Sequence, residues 1–229
     1  MEEYQRRFIA NVSHELKTPL TSISGYAEII REGMVKSEDV GRFAGKIYEE
    51  AQRLITLVED ILNLSHLDEG APGQERRQGI DLYALCERAV ASLAEAARQR
   101  GIAISLTGSR QRVDGAEKLL AEIIFNLCDN AIKYNQENGH VAVSVTREGD
   151  RVVLTVQDTG IGIPPGETDR VFERFYRVDK SHSRRVGGTG LGLSIVKHGA
   201  QYHNAQLSLD SEPGAGTTIT LRFPKQSAA

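Results

Sequence analysis

The organisation of this chain is decided by the stretch Phe8-Ile9-Ala10-Asn11-Val12-Ser13-His14-Glu15-Leu16-Lys17-Thr18-Pro19-Leu20. Its apolar side chains recur every three or four residues, and the pattern continues to Ile30, which predicts a long helix. His14 is followed directly by a carboxylate, and Pro19 is expected to bend the helix because it removes one backbone hydrogen bond. A helical histidine beside a glutamate is a common surface arrangement, so its meaning depends on the rest of the chain.

A second helix is predicted after Gly33, with Ser37 as its N-cap. Its apolar residues form a heptad seam at Ile47, Ala51, Leu54, Val58, Ile61 and Ser65. Further apolar residues widen this face beyond what one partner helix can cover, namely Ile55, Leu57, Leu62 and Leu64. The short connection predicts an antiparallel helical hairpin, and the wide face predicts that two hairpins form a four-helix bundle in a C2 homodimer.

The composition limits the class of protein. The chain has 229 residues with 40% hydrophobic residues and a net charge of −3, so it lacks the basic excess of a nucleic-acid-binding protein. Its two cysteines, Cys86 and Cys128, are predicted to be buried reduced thiols. No apolar run approaches the roughly 18–20 residues that cross a bilayer. Because the chain begins almost directly on a motif-bearing helix, we expect it to be the cytoplasmic portion of a longer membrane sensor.

The polar segment around residues 68–79 contains Gly and Pro and predicts a linker between a helical domain (1–67) and a mixed domain (80–225). In the mixed domain the periodicity predicts three helices, over 82–100, 115–134 and 190–202. It also predicts five strands, over 102–106, 141–146, 152–157, 206–211 and 217–223, with a hairpin turn at Glu148-Gly149-Asp150. This order favours an α+β two-layer sandwich.

The second of these helices carries polar residues suited to a bound metal and phosphate. Asn126, Asn130 and Lys133 fall on one helical face. An asparagine carbonyl is a suitable oxygen ligand for Mg²⁺, and a lysine supplies a positive charge for a phosphate. The alternative is that such asparagines are ordinary surface or capping residues.

Two glycine-rich segments follow. Asp158-Thr159-Gly160-Ile161-Gly162-Ile163-Pro164 comes after a strand, where the carboxylate could accept a hydrogen bond from an exocyclic amine; the alternative is an ordinary turn. Gly187-Gly188-Thr189-Gly190-Leu191-Gly192-Leu193-Ser194 enters a helix, where backbone N–H groups and the helix dipole favour phosphates. The spacing is not that of a P-loop, because no Gly-Lys-Ser/Thr closes it.

Taken in order, these three motifs resemble the N, G1 and G2 boxes of the ATP-binding domain of sensor histidine kinases, a Bergerat-type fold shared with gyrase-like ATPases. Val171-Phe172-Glu173-Arg174-Phe175-Tyr176-Arg177-Val178-Asp179 resembles the F box of that family, and the opening stretch resembles its phosphoacceptor box. The resemblance covers the chain from about Phe8 to Phe223. It implies a kinase that takes ATP and Mg²⁺ as its cofactors.

The resemblance also implies individual roles. His14 would be phosphorylated, Glu15 would act as its general base, and Thr18 would orient a hydrolytic water in members that dephosphorylate their partner. Asn130 would ligate Mg²⁺, Asn126 would support the metal and the phosphates, and Asp158 would bind the adenine amine. Further nucleotide contacts are implied for Lys133, Tyr134, Gly160, Gly162, Tyr176, Arg177, Gly188, Thr189, Gly190, Leu191 and Gly192. Arg177 would lie near the γ-phosphate.

The implied reaction is autophosphorylation of His14, followed by transfer to an aspartate in the receiver domain of a response regulator. Related ATPases carry a water-activating glutamate at the position of Asn126, and an asparagine cannot act as that base. Two alternatives remain open: a mainly phosphatase protein working through Thr18, and a dimeric interaction module whose site has decayed.

The other charged residues are assigned weaker roles. His66 is expected to be a surface or capping residue, and the remaining histidines lack metal-ligand spacing, namely His140, His182, His198 and His203. A basic cluster lies inside the expected lid, where polyphosphate is the favoured partner over nucleic acid: Arg174, Arg177, Lys180, Arg184 and Arg185.

Overall fold

The structure is a computed structural model that describes residues 2–68, 76–178 and 188–225. The chain divides into two compact units, residues 1–63 and 64–229. In the described part of the chain, no helix has both the length and the apolar character needed to cross a membrane. The two units are described in turn.

The first unit is the predicted helical hairpin. Helix α1 (Glu2–Arg31) is followed by a 3-10 turn (Ser37–Asp39) and by helix α2 (Val40–Asp68). The rings of Tyr26 and Phe43 meet edge to face, with their centroids 5.7 Å apart, so the two helices touch beside the turn. The prediction that Ser37 is the N-cap of α2 is wrong, because Ser37 lies within the 3-10 turn and α2 begins at Val40.

Four residues of the predicted seam of α2 are partly buried in the single hairpin, namely Ile47, Ala51, Leu54 and Ile61. Leu57 and Leu64 are buried, whereas Val58 is 41% exposed and Ser65 is exposed. Periodicity could not predict which of Leu57 and Val58 is buried in the hairpin, because both are apolar. Burial of leucine, the larger side chain, removes more apolar surface from water. Exposed apolar side chains remain on α2, among them Ile55 and Leu62 at 50% and 53% exposure.

The second unit has the predicted α+β architecture. Its helices are α3 (Leu82–Gln99), α4 (Glu117–Lys133) and α5 (Gly192–Tyr202). Its strands are β1 (Arg76–Asp81), β2 (Ala103–Gly108), β3 (Arg112–Ala116), β4 (His140–Glu148), β5 (Arg151–Asp158), β6 (Gln206–Glu212) and β7 (Gly216–Arg222). A 3-10 turn spans Arg170–Phe172.

Five strands form the main sheet in the order β2-β4-β5-β7-β6, in which only the β2–β4 pair is parallel. The predicted β4–β5 hairpin is confirmed, with Glu148 opposite Arg151 across the Gly149-Asp150 turn. Helix α4 packs against both α3 and α5, and all three helices pack on the sheet. The core between the layers is formed by apolar residues of both, including Ile124, Leu127, Val143, Val145, Leu154 and Leu221.

A second, two-stranded sheet pairs β1 with β3 in antiparallel orientation, and the sequence did not predict it. β1 occupies residues Arg76–Asp81, so residues 76–79 of the predicted linker belong to a strand. Asp68, at the other end of the predicted linker, belongs to α2. The stretch Arg76-Arg77-Gln78-Gly79 is polar and contains glycine, so it lacks the alternation that marks a strand. Residues 69–75 lie outside the described residues.

The structure also defines the residues at which α3 and α4 begin. Asp81 caps α3, because its Oδ1 accepts a hydrogen bond from Ala84 N at 3.1 Å. α4 begins at Glu117 rather than at residue 115, since Gly115 belongs to β3.

The two cysteines are free and buried, as predicted. Burial in the apolar core raises the pKa of Cys128 to about 12 and raises the pKa of Cys86 far above the ordinary thiol range. Both thiols therefore remain protonated at neutral pH.

His203, which follows α5, ties that helix to β3. The Nε2 atom of His203 accepts a hydrogen bond from Ala116 N at 3.0 Å, so Nδ1 carries the proton and donates to Gly199 O at 2.7 Å. Burial lowers the pKa of His203, with the nearby Arg76 acting in the same direction and the bond to Gly199 opposing it. The imidazole is therefore a neutral structural group.

Candidate functional site

The candidate nucleotide site begins where α5 meets α4. A Cβ atom placed on Gly192 would lie 2.6 Å from Asn126 Oδ1 and 3.5 Å from Asn130 Nδ2. The amide nitrogen of Asn126 donates to Glu122 O at 3.0 Å, which orients that side chain along the helix. The first and third predicted motifs are thus in contact, and a side chain at position 192 would have to displace the Asn126 amide.

Lys133 lies one turn beyond Asn130 and is already paired. Its Nζ is 2.6 Å from Asp129 Oδ2, and both side chains are about one quarter exposed. A phosphate approaching Lys133 would therefore meet a lysine that is held by a carboxylate. The sequence analysis did not assign Asp129 a role, although its i,i+4 spacing to Lys133 is the usual signal for such a pair.

Asp158 ends β5 with its carboxylate fixed by main-chain groups. Its Oδ1 accepts hydrogen bonds from Gly160 N at 2.8 Å and from Thr217 N at 3.2 Å. Among the described residues, no protein donor reaches Oδ2. Burial raises the pKa of Asp158, while the two backbone hydrogen bonds act in the opposite direction. The arrangement offers one carboxylate oxygen to an amine donor.

The turn after Asp158 is closed against the turn between β6 and β7. Gly162 has φ +66°, and a Cβ on it would lie 2.0 Å from Glu212 O, so both its backbone conformation and its surroundings demand glycine. Gln136 joins the two turns, because its Nε2 donates to Gly160 O at 3.1 Å and to Gly214 O at 3.3 Å. The sequence analysis missed Gln136, and no local pattern marks it.

Tyr134 connects this turn to the glycine-rich loop before α5. Its carbonyl oxygen accepts from Ile161 N at 3.0 Å. A Cβ on Gly188 would lie 3.1 Å from the hydroxyl oxygen of the same tyrosine. Tyr134 therefore contacts both the second and the third motif, as expected for residues that surround one ligand.

The glycine loop also contacts the segment that resembles the F box. Gly190 O accepts a hydrogen bond from Phe175 N at 2.8 Å. A Cβ on Gly190 would lie 3.3 Å from Arg177 Nε. Arg177, predicted near the γ-phosphate, is thus next to the predicted phosphate loop.

Thr189 and Leu191, just before α5, stabilise the glycine loop in two different ways. Thr189 Oγ1 accepts a hydrogen bond from Leu191 N at 3.3 Å. The Leu191 side chain is fully buried and fixes the loop to the core.

Tyr176 is held by two residues that the sequence analysis did not single out. Its hydroxyl donates a hydrogen bond to the Glu167 carboxylate, and the Arg170 guanidinium lies 4.3 Å from the ring centroid. The i,i+3 spacing of Glu167 and Arg170 was the only local signal. Five residues of the lid region with predicted roles lie outside the described residues, namely Asp179, Lys180, His182, Arg184 and Arg185.

His14 lies exposed on α1, beside the half-buried Glu15. Thr18 Oγ1 donates to His14 O at 3.2 Å. Pro19 is buried and has no N–H, so the Glu15 carbonyl lacks its usual helical donor. Helix α1 nevertheless continues through Pro19 to Arg31.

His140 and His198 form contacts within the mixed domain. His140 Nε2 lies 3.1 Å from Ser105 Oγ, and His198 Nε2 lies 3.2 Å from Arg174. Within residues 2–68, 76–178 and 188–225, no group of three His, Cys, Asp or Glu side chains could hold a metal ion. The side chain of His66 lies outside the described residues.

Two family models match the chain in the order of its two units. The first, His Kinase A (phospho-acceptor) domain, matches residues 4–70. The second, Histidine kinase-, DNA gyrase B-, and HSP90-like ATPase, matches residues 115–227. The chain belongs to the sensor histidine kinase family.

Individual relatives agree. The chain is 42% identical over 226 residues to the sensor-like histidine kinase SenX3 of Mycolicibacterium smegmatis, a match that covers 98% of this chain and 59% of SenX3. It is 30% identical to the solved structure of the mycobacterial sensor histidine kinase MprB, with a TM-score of 0.55 over 68% of this chain and 99% of MprB. Full-length ShkA, solved in complex with AMPPNP, is 27% identical with a TM-score of 0.70, over 97% of this chain and 46% of ShkA.

Proposed function

We propose that this chain is the catalytic core of a sensor histidine kinase that phosphorylates itself on His14 with ATP and then passes the phosphoryl group to an aspartate of a response regulator. The observation that carries the proposal is the contact between Gly192 and the two asparagines of α4 in the same unit as the half-buried Asp158. The chain spans 59% of the length of SenX3, so the activity of the whole protein is inferred from its core.

Nucleotide binding is supported by the fit between the motifs. Gly192, Asn126 and Asn130 form a cradle that any added Cβ would fill, and the Asp158 carboxylate offers an acceptor for the adenine amine. ShkA was solved with AMPPNP, an ATP analogue. The remaining contacts are proposed for Lys133, Tyr134, Gly160, Gly162, Tyr176, Arg177, Gly188, Thr189, Gly190 and Leu191.

The proposed metal ligand is the side-chain oxygen of Asn130, with Asn126 beside it. Mg²⁺ bound there would neutralise charge on the phosphates, and an amide oxygen is a suitable ligand for it. Asn126 cannot deprotonate a water molecule, whereas a glutamate at that position could. We therefore expect slow hydrolysis and retention of ATP until His14 arrives.

In the proposed step the lone pair on Nε2 of neutral His14 forms a bond to the γ-phosphorus. The bond between that phosphorus and the bridging oxygen breaks, and ADP leaves with the electron pair. Glu15, the next residue, accepts the imidazole proton. The exposed position of His14 on α1 supports this role because the ring must reach both the nucleotide and the partner.

The hairpin would form a homodimer through its uncovered apolar residues. Ile55, Val58 and Leu62 are 41–53% exposed on α2, and a second hairpin would bury them in a four-helix bundle. The response-regulator receiver domain would then dock on the bundle near His14.

Thr18 supports a second activity of the same site. Its hydroxyl lies one helical turn from His14 and donates to the His14 carbonyl in this structure. Rotation of the hydroxyl away from that carbonyl would let it orient a water molecule toward the phosphorylated aspartate of the partner. Thr18→Ala should spare autophosphorylation and slow loss of phosphate from the response regulator; equal loss of both activities would refute this division.

The proposal is tested by incubating the chain with γ-labelled ATP and Mg²⁺. We expect an acid-labile, base-stable phosphoprotein that is absent in His14→Gln. His140→Gln is the matched control, because His140 is exposed and its side chain contacts only Ser105 in the described structure. Label that persists in His14→Gln would overturn the assignment.

A further inference from the structure

The segment between the second motif and the glycine loop contains a three-residue cluster, which we call the lid anchor: Glu167, Arg170 and Tyr176. Tyr176 donates its hydroxyl proton to a hydrogen bond with the Glu167 carboxylate. Arg170 lies over the Tyr176 ring, with its guanidinium carbon 4.3 Å from the centroid, and its NH1 is 3.3 Å from Glu167 Oε2. Each member of the lid anchor thus contacts the other two.

The residues on either side of Tyr176 face the glycine loop. Phe175 has φ +63°, a left-handed conformation that an aromatic residue rarely adopts without support. Its N–H is hydrogen-bonded to Gly190 O at 2.8 Å, and Arg177 Nε lies 3.3 Å from where a Cβ on Gly190 would be. Tyr176, whose side chain is held in the lid anchor, is therefore flanked in the chain by Phe175 and Arg177. Both of these neighbours lie against the proposed phosphate-binding loop.

We propose that Glu167 and Arg170 are positioning residues for the γ-phosphate: they hold Tyr176, and Tyr176 in turn keeps Phe175 in its left-handed conformation and Arg177 beside Gly190. This inference rests on the proposed function. It assigns Tyr176 an anchoring role in the lid, since its hydroxyl is already bonded to Glu167 and its ring is covered by Arg170.

The chemistry of the anchor explains why Glu167 matters most. A carboxylate is the only member that both accepts from a phenol and pairs with a guanidinium, and charge-assisted hydrogen bonds are stronger than neutral ones. The Glu167 side chain is 29% exposed and that of Arg170 is 51% exposed, so the hydrogen bond to Tyr176 should contribute more than the ion pair. Without Glu167, Tyr176 loses its acceptor, and Phe175 loses the support that comes from a fixed Tyr176 side chain.

Loss of the lid anchor is expected to affect the binding of nucleotides that carry a γ-phosphate. Arg177 is the lid residue proposed to reach that group, whereas the α- and β-phosphates and the base would be held by α4, Asp158 and the glycine loop. Loss of the lid anchor should thus weaken an ATP analogue more than ADP. A general loss of folding would weaken both nucleotides alike.

The test is calorimetric titration of the full chain with Mg²⁺-AMPPNP and with Mg²⁺-ADP, for the wild type and for Glu167→Ala, Glu167→Gln and Tyr176→Phe. We expect Glu167→Ala and Tyr176→Phe to weaken AMPPNP about tenfold and ADP less than about threefold, as the loss of one charge-assisted hydrogen bond implies. Glu167→Gln keeps an acceptor for the phenol and should restore part of the AMPPNP affinity.

Glu148→Gln serves as the control, because Glu148 of β4 forms a comparable surface ion pair with Arg222 of β7. Glu148 Oε2 lies 3.2 Å from Arg222 Nε. It should leave both affinities unchanged. An equal effect of Glu167→Ala on AMPPNP and ADP, or no effect on either, would overturn the inference. If the wild type binds neither nucleotide, the proposed function itself fails, and the two failures are thereby distinguished.

Discussion

Gly192, the first residue of α5, lies so close to Asn126 on α4 that a Cβ atom on the glycine would be 2.6 Å from the amide oxygen. The two residues are 66 positions apart in the chain, yet each limits the space of the other. A methyl group on Gly192 could be accommodated only if the Asn126 side chain moved. This relationship leads to the first prediction.

Gly192→Ala should weaken ATP binding by at least about tenfold while leaving the fold intact. The displaced side chain is the proposed support for metal and phosphates, and alanine in a helix is favoured over glycine by about 1 kcal/mol. Calorimetric titration with Mg²⁺-ATP and a thermal unfolding curve measure the two effects. Gly41→Ala is the control, because a Cβ there would meet nothing within 4 Å. Unchanged affinity in Gly192→Ala would contradict the proposed cradle.

Asp158→Asn should reduce affinity for ATP about 10- to 100-fold without unfolding the protein, as expected for loss of a hydrogen bond to a charged acceptor. The asparagine Oδ1 can still accept from Gly160 N and Thr217 N. Its amide nitrogen, however, is a hydrogen-bond donor and would face the adenine amine, which is also a donor. Asp150→Asn, in a surface pair with Lys225, is the control for loss of a charge. Equal weakening by both variants would point to general electrostatics instead.

The neutral His203 should make the mixed domain less stable in acid. Its pKa is lowered in the folded protein, so the unfolded chain binds more protons below its ordinary pKa of about 6.5. The stabilisation is complete above that pH and is lost as the pH falls below it. Calorimetric melting at about pH 7.5 and about pH 5.5 should show a larger decrease for the wild type than for His203→Gln.

The two proteins differ only at position 203, so the difference between their decreases isolates His203. His203→Gln should also melt at a lower temperature at the higher pH, because the hydrogen bonds to Ala116 and Gly199 are disturbed. Parallel decreases in the two proteins would show that His203 is not the titrating group.

Leu62→Lys should dissociate the proposed homodimer. Leu62 is 53% exposed in the single chain, and burial in a four-helix bundle would place a lysine against apolar side chains. Light scattering behind a size-exclusion column would report the mass across a dilution series. Gln52→Lys adds the same charge at an exposed polar position of α2 and should remain dimeric. A wild type that is monomeric at all concentrations would exclude the bundle.

The parts of the fold with strong periodicity were predictable from sequence. α3 and α5 each present one apolar face, and the β4–β5 hairpin has alternating strands around a Gly-Asp turn. The small sheet of β1 and β3 was not predictable, because its pairing partners are 31 to 40 residues apart and β1 is polar. Periodicity did not predict that Leu57 rather than the adjacent Val58 is buried within the single hairpin, since leucine and valine satisfy the same pattern.

The motifs of the site were predictable as residue types, but their contacts were not. Local sequence cannot show that Gln136 donates to Gly160 and Gly214, or that Thr217 N reaches Asp158, because strand register and helix packing decide such distances. Lys133 was predicted as a phosphate contact, and its pairing with Asp129 emerged only from the structure. The lid anchor was missed for the same reason, because Glu167 and Tyr176 are nine residues apart in an irregular segment.

The two amide groups that hold Asp158 give the site a tolerance to mutation. Its orientation depends on β5 lying beside β7 in one register, which places Thr217 opposite Asp158, and on the turn at Gly160. Neither donor is a side chain, so replacing Thr217 by any residue other than proline, which has no N–H, keeps the donor that holds the carboxylate. The side chains of the neighbouring strand can therefore change while the Asp158 carboxylate keeps its position.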